Sequence, residues 1–445
     1  MGPGNLVDSA PLTGSRRRGG NLGRAVILVD ANNFYASCER VFDARLVGKP
    51  VVVLSNNDGC VIARSAESKK LGIAMGEPFF KVRGLVEEHR VIVRSSNYEL
   101  YGDMSARLMD VLEQFTPDLE VYSIDEAFLE VDAGSSKALD SLGREIRNRI
   151  HRQTGLPVSI GIAGTKTLAK VANHLAKKST RAEGVLNLLD SPHLDLALER
   201  TPVEEVWGVG RRQAVKLQAY GILTARGLRG ADDDWVRRKM TVVGLRTVHE
   251  LRGVRCLELG RSHAHQHSLV VSRSFGNVVW TRDELRDAVS WFTARGAEKL
   301  RRRRLAAAVL TVFVRIGRNS RPADGESTVC SLTFDLGTPS DSTIELMAAA
   351  QQVLCRLYRE GIGYRKAGIM LTGLIPSDTA SRRLWDAARY ERQRELMTRI
   401  DKINHRHGKD TIRCGLYKSA GGWRSRTEQR SDRFTTNWKE IMRVK

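Results

Sequence analysis

Residues 25–35 have the sequence AVILVDANNFY, and residues 122–128 have the sequence YSIDEAF. In the first stretch, five apolar residues lead to Asp30, a pattern typical of a short strand that is buried on both faces. In the second, Asp125 and Glu126 have strand-like neighbours on both sides, so we expect them at a hairpin tip or a strand edge. Carboxylates at strand ends are the hard oxygen ligands that Mg²⁺ prefers. A single acid of this kind is more often a surface residue or a helix cap, but the three together predict an acidic site.

The pattern of apolar residues divides the rest of the chain into regions. Strand and helix patterns alternate over residues 25–190, which indicates a layered α/β or α+β domain, and residues 61–71 within it have a helical pattern. Residues 191–262 predict short helices broken by glycines. Residues 268–376 predict the order β-α-β-β-α-β of a small split-βαβ domain. From residue 377 onward the sequence is polar, basic and mostly aperiodic.

Composition and charge limit the classes of function. The chain has 445 residues and a formal charge of +21. No apolar run approaches the roughly 20 residues that a membrane span needs. The six cysteines form no CxxC pair, which argues against a disulfide framework or a zinc ribbon and predicts a cytoplasmic protein. The net charge is −1 over residues 25–190 but +4, +6 and +9 over residues 191–262, 263–376 and 377–445. An enzyme that holds metal ions in one region and binds a polyanion elsewhere would need this division.

Several long motifs, in order, resemble those of one enzyme family. Residues 30–39 and 122–128 resemble the first and third sequence motifs of Y-family (translesion) DNA polymerases. Residues 51–64 and 95–101 are most similar to the bacterial UmuC branch of that family. The similarity runs from about Ala25 to Leu374 and returns over residues 433–437 and 442–445, whereas residues 1–24 lie outside it.

The resemblance implies an α+β multidomain fold of the right-hand polymerase type. It implies a ferredoxin-like palm, small fingers, a helical thumb with a helix-hairpin-helix, and a split-βαβ little finger that binds DNA. The expected boundaries are a disordered basic tail at 1–24, palm at 25–46 and 98–190, fingers at 47–97, thumb at 191–262, little finger at 263–376 and a basic C-terminal region at 377–445.

The resemblance also implies roles for the residues of the acidic site. Asp30, Asp125 and Glu126 would be catalytic and hold two Mg²⁺ ions, with the carbonyl of Ala31 as a further ligand. Tyr35, beside Phe34, would lie beneath the incoming sugar, where a ring would collide with a 2′-hydroxyl. A buried core position is the alternative interpretation of Tyr35.

Further nucleotide-binding positions are implied in the fingers and the palm. Lys69 and Lys177 match basic positions that contact the triphosphate, although a lone lysine is more often a solvated surface residue. Many relatives have a tyrosine three residues before the first of these lysines; here Ala66 occupies that position, and Arg64 is a possible substitute. Cys60 and Ile62 would lie over the nascent base pair.

Residues 206–217, VWGVGRRQAVKL, match a helix-hairpin-helix signature. Gly208 and Gly210 would form a tight turn that exposes backbone N–H groups to a phosphate. Three basic residues follow the turn and would contact the DNA backbone: Arg211, Arg212 and Lys216. A turn that only packs two helices is the alternative, and a dinucleotide-binding loop is disfavoured because no third glycine follows.

Three groups of residues in the downstream basic region have candidate roles. Arg273 and the run Arg301–Arg304, in particular Arg301 and Arg302, are expected to contact duplex DNA, with a solvated helix end as the alternative. His263, His265 and His267 favour an interdomain linker over a metal site, because no acid or cysteine stands at ligand spacing. Residues 381–385, Ser381 to Trp385, resemble a degenerate sliding-clamp peptide or a short amphipathic piece.

These observations predict a low-fidelity, template-directed DNA polymerase for translesion synthesis in the SOS response. Its expected ligands are primer-template DNA, dNTP and two Mg²⁺ ions, and the resemblance suggests a UmuD′-like dimer, RecA and a sliding clamp as partners. A non-catalytic DNA-binding scaffold is the alternative, but it would leave the acidic site without a role. A palm-type cyclase would need neither the helix-hairpin-helix nor the downstream basic charge.

Overall fold

A computed structural model describes residues 23–260, 267–317, 328–379, 387–408, 410–413, 423–424 and 426–442. The chain divides into two compact units. The first comprises the residues before 33 together with 105–259, and the second comprises 33–104 together with the residues from 260 onward. No helix in these described ranges is long and apolar enough to cross a membrane.

Strands and helices alternate along most of the described chain. The strands are β1 (Arg24–Ala31), β2 (Val51–Leu54), β3 (Val61–Arg64), β4 (Ile92–Ser95), β5 (Leu119–Val121), β6 (Glu126–Asp132), β7 (Val158–Ala163), β8 (Val185–Asn187), β9 (Ser268–Val279), β10 (Leu305–Ile316), β11 (Val329–Ser340) and β12 (Tyr364–Pro376). The helices are α1 (Phe34–Phe42), α2 (Ala66–Lys70), α3 (Phe79–Glu88), α4 (Tyr98–Glu113), α5 (Ser136–Thr154), α6 (Lys166–Lys178), α7 (Leu194–Glu199), α8 (Arg211–Ala219), α9 (Ala225–Arg229), α10 (Asp233–Leu251), α11 (Arg282–Arg302), α12 (Thr343–Leu357) and α13 (Ala387–His407).

A five-stranded sheet in the order β5-β6-β1-β7-β8 forms the centre of the first unit. β1 is central and pairs antiparallel with both β6 and β7, which explains why every residue from Ala25 to Ala31 is buried. The strand predicted at 25–29 and the hairpin predicted for the second acidic stretch are both confirmed.

Helix α6 lies unusually close to this sheet. A Cβ atom on Gly161 of β7 would come within 2.2 Å of the carbonyl oxygen of Ala169 and 2.3 Å of the amide nitrogen of Asn173. The Asn173 side chain also donates a hydrogen bond of 2.7 Å to the carbonyl of Ser159. The glycine therefore sets the distance between α6 and the strands that carry the acids.

The helices α7–α10 share a core with the same face of the sheet. Val26 and Leu28 of β1 pack in one buried cluster with Leu168 of α6 and with Leu217 and Val248 of the downstream helices. The short helices predicted for 191–262 are confirmed, except that α10 continues for 19 residues with a non-helical Thr241 inside it.

The second unit contains a four-stranded antiparallel sheet in the order β11-β10-β12-β9. Its elements follow the predicted order β-α-β-β-α-β. Helix α11 begins with a capping box in which Thr281 and Glu284 satisfy each other's backbone N–H groups. Leu285 and Phe292 of α11 are buried with Leu310 and Ile369 of the sheet.

A three-stranded sheet, β3-β2-β4, also belongs to the second unit. The helical prediction for residues 61–71 is wrong over its first four residues, because β3 pairs antiparallel with β2. Only 66–70 form a helix, which Ser65 caps through the backbone N–H of Ser68. Four residues are too few for periodicity to separate a strand from a helix.

Two expectations at the chain ends also need correction. Arg24 belongs to β1 rather than to a disordered tail, since it pairs with Asp132; residues 1–22 of the predicted tail lie outside the described residues. The mostly aperiodic region predicted after residue 377 contains α13, a helix of 21 residues. Met397 of this helix is buried, with 2% of its surface exposed.

Candidate active site

Strand register places Asp30 and Glu126 beside each other. In the antiparallel β1–β6 pair, Asp30 lies opposite Glu126, so both side chains leave the same face of the sheet. The two carboxyl groups share a hydrogen bond. Asp30 is 8% exposed and the Glu126 side chain is 19% exposed, so the site is a largely buried pair of acids where β1 ends and β6 begins.

Two lysines from α6 compensate the charge of this pair. Lys177 Nζ lies 2.6 Å from Asp30 Oδ2, and Lys170 Nζ lies 2.9 Å from Glu126 Oε2. A separation of seven residues, or two helical turns, puts both lysines on one face of α6. The close approach of α6 at Gly161 brings that face to the acids.

The surroundings shift the pKa values of the two acids in opposite directions. Burial raises the pKa of Asp30 to about 7, although Lys177 opposes the shift and Glu126 adds to it. Burial alone would also raise the pKa of Glu126, but hydrogen bonds from Asp30 and Lys170 hold that pKa below its usual range. Of the two acids, Asp30 is therefore the one that binds a proton more readily.

Asp125 occupies the turn between β5 and β6. Its carboxylate accepts a hydrogen bond of 2.5 Å from Ser123 Oγ, which also accepts from the backbone N–H of Glu126 at 3.1 Å. The backbone carbonyl of Asp125 accepts from the N–H of Ala31 at 2.8 Å and so ties the turn to the end of β1. In the part of the chain that the structure describes, no three His, Cys, Asp or Glu side chains are grouped closely enough to hold a metal ion. The expected trio is therefore only partly assembled: Asp30 and Glu126 meet, while Asp125 faces Ser123.

Tyr35 lies on α1 within an aromatic cluster of the second unit. Its ring stacks on that of Tyr101, with centroids 4.4 Å apart and planes inclined by 16°. Tyr98 meets the Tyr35 ring edge-on at 6.1 Å. Phe34 is buried, with 4% exposed, whereas Tyr35 is only partly covered. Tyr35 is thus a partly exposed ring supported by two other tyrosines.

The predicted nucleotide-binding residues between positions 60 and 69 lie on or next to β3 and α2. Ile62 and Arg64 lie on the same, partly exposed face of β3. The Arg64 guanidinium donates to the carbonyl of Ile73, so that part of its donor capacity is used within the fold. Cys60 is partly exposed beside Pro78, and Lys69 is exposed in the last turn of α2.

The predicted hairpin has the expected local geometry. Gly208 has φ +93°, a conformation that favours glycine, and Gly210 precedes α8 as its N-cap. Ala214 is buried, while Arg211, Arg212 and Lys216 are all exposed. Two arginines in the first turn of a helix oppose its macrodipole, and a bound phosphate would offset that unfavourable interaction.

The arginines predicted to bind DNA differ in their surroundings. Arg301 forms a two-pronged ion pair with Asp401 of α13, at 2.7 and 2.8 Å, and only 11% of its side chain is exposed. This ion pair gives Arg301 a structural role in the fold, and it leaves little of the side chain exposed. Arg302 is exposed, and Arg273 lies over the Trp291 ring at 4.8 Å. His263, His265 and residues 381–385 lie outside the described residues.

Sequence analysis missed Lys170 as a residue of the acidic site. Its ammonium contacts Glu126 and lies 4.5 Å from the ring centroid of Tyr122 and 5.5 Å from that of Trp207. The only signal in the sequence is its spacing of seven residues from Lys177, which becomes informative once both are placed on one helix.

Comparisons with known proteins agree with this fold. The model of the impB/mucB/samB family matches residues 29–174, the model of that family's C-terminal domain matches residues 266–384, and a domain of unknown function, DUF4113, matches residues 394–444. The chain is 43% identical over 423 residues to Protein UmuC of Salmonella typhimurium, covering 94% of this chain and 99% of that protein. It is 40% identical to Protein MucB of Escherichia coli, covering 93% and 98%. It is 26% identical to DNA polymerase IV of Bacillus velezensis, covering 88% and 93%.

Solved structures support the fold. A Y-family DNA polymerase chimera of Dbh and Dpo4 has a TM-score of 0.62 at 22% identity and covers 79% of this chain and 99% of that one. An insertion ternary complex of Dbh DNA polymerase has a TM-score of 0.53 at 21% identity, covering 79% and 99%.

Fold and site together define a right-hand polymerase of the Y family. The chain belongs to the impB/mucB/samB family and is UmuC-like. It is a DNA-directed DNA polymerase of translesion synthesis.

Proposed function

We propose that Asp30, Asp125 and Glu126 are the catalytic residues and bind two Mg²⁺ ions, with the Ala31 carbonyl as an additional ligand. The observation that carries this proposal is the largely buried, hydrogen-bonded pair of Asp30 near the end of β1 and Glu126 at the start of β6. A protein retains such a pair only when it is compensated, because burying two adjacent carboxylates is unfavourable.

The donor set fits divalent ions. Two lysine ammonium groups lie against the acids, which supports a site in which positive charge is favourable. The available ligands are carboxylate and carbonyl oxygens, which Mg²⁺ prefers. Asp125 is one residue from Glu126 and would join them by exchanging its hydrogen bond to Ser123. Bound ions would lower the pKa of the primer 3′-hydroxyl and stabilise the pyrophosphate leaving group.

If metal ions bind the acids in place of the two lysine ammonium groups, the lysines can contact other groups. Lys177, at the end of α6, is proposed to contact the triphosphate of the incoming nucleotide, together with Lys69 and Arg64. Lys170 is held among Tyr122, Trp207 and Phe128, and we add it to this set as a residue that orients Glu126. Cys60 and Ile62 are proposed to lie over the nascent base pair.

Sugar selection is assigned to Tyr35. The stack on Tyr101 fixes its ring, and a fixed ring excludes a 2′-hydroxyl sterically, whereas a mobile one would yield. Phe34 supports the start of the same helix from the buried side.

DNA contacts are assigned to the hairpin and the four-stranded sheet. We propose that the hairpin binds backbone phosphates through Gly208, Gly210, Arg211, Arg212 and Lys216. Arg273 and Arg302 are proposed to bind the duplex.

We further propose palm at 25–46 and 98–190, fingers at 47–97, thumb at 191–262, little finger at 263–376 and a separate C-terminal region from 377. A UmuD′-like dimer, RecA and a sliding clamp, and a location with the cytoplasmic nucleoid, are proposed on family resemblance alone.

Primer extension tests the catalytic assignment. Asp30→Asn, Asp125→Asn and Glu126→Gln are each expected to lower kcat about a thousandfold, because metal-ion stabilisation contributes several kcal/mol. Asp132→Asn is the matched control, since Asp132 is at the opposite end of β6 with 99% of its side chain exposed. Wild-type incorporation by Asp125→Asn or Asp30→Asn would refute the assignment.

A further inference from the structure

The C-terminal residues 426–442, named here the C-terminal strap, bind to the N-terminal part of the second unit. The backbone N–H of Ser95 donates to the carbonyl of Gln429 at 3.1 Å, and the N–H of Gln429 donates to Ser95 Oγ at 3.0 Å. Phe434 stacks on Phe42 of α1, with centroids 5.0 Å apart and planes inclined by 11°. The strap therefore extends β4 locally and covers the end of α1.

Ser431 of the strap is fixed on both sides. Its hydroxyl accepts a hydrogen bond from the Asn97 amide at 3.0 Å and donates one to Glu39 Oε1 at 3.0 Å. The same Asn97 amide donates to the carbonyls of Ser431 and Asp432, both at 3.1 Å. These contacts determine where the hydroxyl points, because the backbone on either side of it is held.

Glu39 is a buried carboxylate on α1, with 2% of its surface exposed. The hydroxyl of Tyr101 donates to Glu39 Oε1 at 2.6 Å, and Arg94 Nε lies 3.7 Å from Glu39 Oε2. One carboxylate oxygen thus receives hydrogen bonds from both Tyr101 and the strap. Glu39 cannot move without leaving at least one of these buried groups unsatisfied.

Tyr101 connects this network to Tyr35. Tyr101 is fully buried, and its ring is the one on which Tyr35 stacks. The hydrogen bond at one end of Tyr101 sets the plane and depth of its ring, and the stack transmits that position to Tyr35. The contacts that connect the strap to the ring of Tyr35 involve Ser431, Glu39 and Tyr101. All four residues belong to the second unit.

We propose that the C-terminal strap is a positioning element for sugar selection, acting through Ser431, Glu39 and Tyr101 on the ring of Tyr35. This inference rests on the proposed role of Tyr35. The domain of unknown function at residues 394–444 would then contribute to the choice between dNTP and rNTP without touching either nucleotide. Steric exclusion depends on a rigid ring, so loss of its backing should admit the 2′-hydroxyl more easily.

The test measures kcat/KM for dNTP and for the matching rNTP in primer extension by the full-length chain. Tyr101→Phe keeps the buried ring and removes its hydroxyl, and Ser431→Ala removes only the strap hydroxyl. Each is expected to lower the dNTP-to-rNTP ratio about threefold to tenfold, mainly by raising kcat/KM for rNTP. Thr436→Ala, which removes an exposed hydroxyl of the same strap, is the matched control and should leave the ratio unchanged.

Two further variants keep the outcomes distinct. Ser431→Thr retains the hydroxyl and should retain the ratio; an equal loss in Ser431→Thr and Ser431→Ala would contradict the proposal.

Tyr35→Ala should lower the ratio about a hundredfold or more if Tyr35 excludes ribose. If Tyr35→Ala lowers the ratio while Tyr101→Phe and Ser431→Ala leave it unchanged, the role of Tyr35 stands and the role of the strap is wrong. If Tyr35→Ala has no effect, both are wrong. A general loss of stability would lower dNTP and rNTP incorporation equally, so the ratio separates positioning from folding.

Discussion

The five-stranded and four-stranded sheets share part of their element order but place their first strand differently. Both contain a strand, a helix, two strands, a helix and a strand, and the five-stranded sheet adds α6 and β8. In the five-stranded sheet the first strand, β1, is central and buried throughout; in the four-stranded sheet the first strand, β9, is at the edge and alternates between buried and exposed residues. A central strand can carry an acid into a nearly dry site, whereas an edge strand presents one face to solvent. The first sheet is thus suited to metal chemistry and the second to contact with a large polyanion.

The largest effect in a test of the difference between the two sheets is expected when α6 is separated from the five-stranded sheet. Gly161→Ala would drive a Cβ into the backbone of α6, so we expect a loss of about 3 kcal/mol in the free energy of unfolding and a fall in kcat of about a hundredfold as Lys170 and Lys177 withdraw from the acids. Urea unfolding and primer extension measure the two effects. Gly164→Ala is the control, because its Cβ would meet only Leu189 at 3.6 Å. Normal activity in Gly161→Ala would show that α6 does not position the site.

The same change in the four-stranded sheet should have a different consequence. A Cβ on Gly368 of β12 would come within 2.3 Å of Ser272 Cβ and 2.5 Å of Phe313 Cζ. Gly368→Ala is expected to cost about 2 kcal/mol in the free energy of unfolding and to weaken DNA binding, measured by fluorescence anisotropy. The kcat with saturating DNA should stay within about twofold of wild type, since no acid of the site lies in this sheet. A loss of kcat comparable to that of Gly161→Ala would remove the functional distinction between the sheets.

Two adjacent arginines at the end of α11 are expected to have different roles, one in stability and one in DNA binding. Arg301→Ala removes a partly buried ion pair with Asp401 and should lower the free energy of unfolding by about 1–3 kcal/mol. Arg302→Ala should leave stability within about 0.5 kcal/mol and weaken DNA affinity instead. A double-mutant cycle with Asp401→Ala identifies the coupling of Arg301. Equal effects of the two substitutions on DNA affinity would contradict the structural role of Arg301.

The smallest expected effect concerns the hairpin of the first unit. Replacing both Arg211 and Arg212 by alanine should reduce the slope of log affinity against log salt concentration by about 1–2, because each neutralised phosphate contributes about 0.9. The measurement is DNA affinity over a series of salt concentrations. Arg226→Ala, an exposed arginine of α9 near Glu199, is the control. An unchanged slope in the double variant would show that the hairpin does not bind phosphates.

Local patterns in the sequence predicted much of the fold and half of the site. The apolar run before Asp30 and the paired acids of the hairpin are signals carried by a few consecutive residues, and both led to the observed strands. The β-α-β-β-α-β order of the four-stranded sheet followed from the same kind of pattern.

What the sequence could not predict depends on contacts between distant residues. Lys170 belongs to the site only because Gly161 lets α6 approach β7, and Arg301 is structural only because Asp401, a hundred residues later, pairs with it. Helix α13 was missed because most of its residues are polar and few apolar residues, such as the buried Met397, mark a helical period. Strand β3 was misassigned because four residues carry too little periodicity.

The register of β1 against β6 has a consequence for how this enzyme can be altered. Asp30 faces Glu126 because of strand pairing, and the length of chain that connects the two strands does not enter into it. We expect that this connection can be exchanged between relatives as a cassette, with insertions or deletions in its loops, while the acids keep their places. Insertion of one residue inside β1, by contrast, would turn Asp30 to the opposite face of the sheet, away from Glu126. The acidic pair, and with it the proposed catalysis, would then be lost.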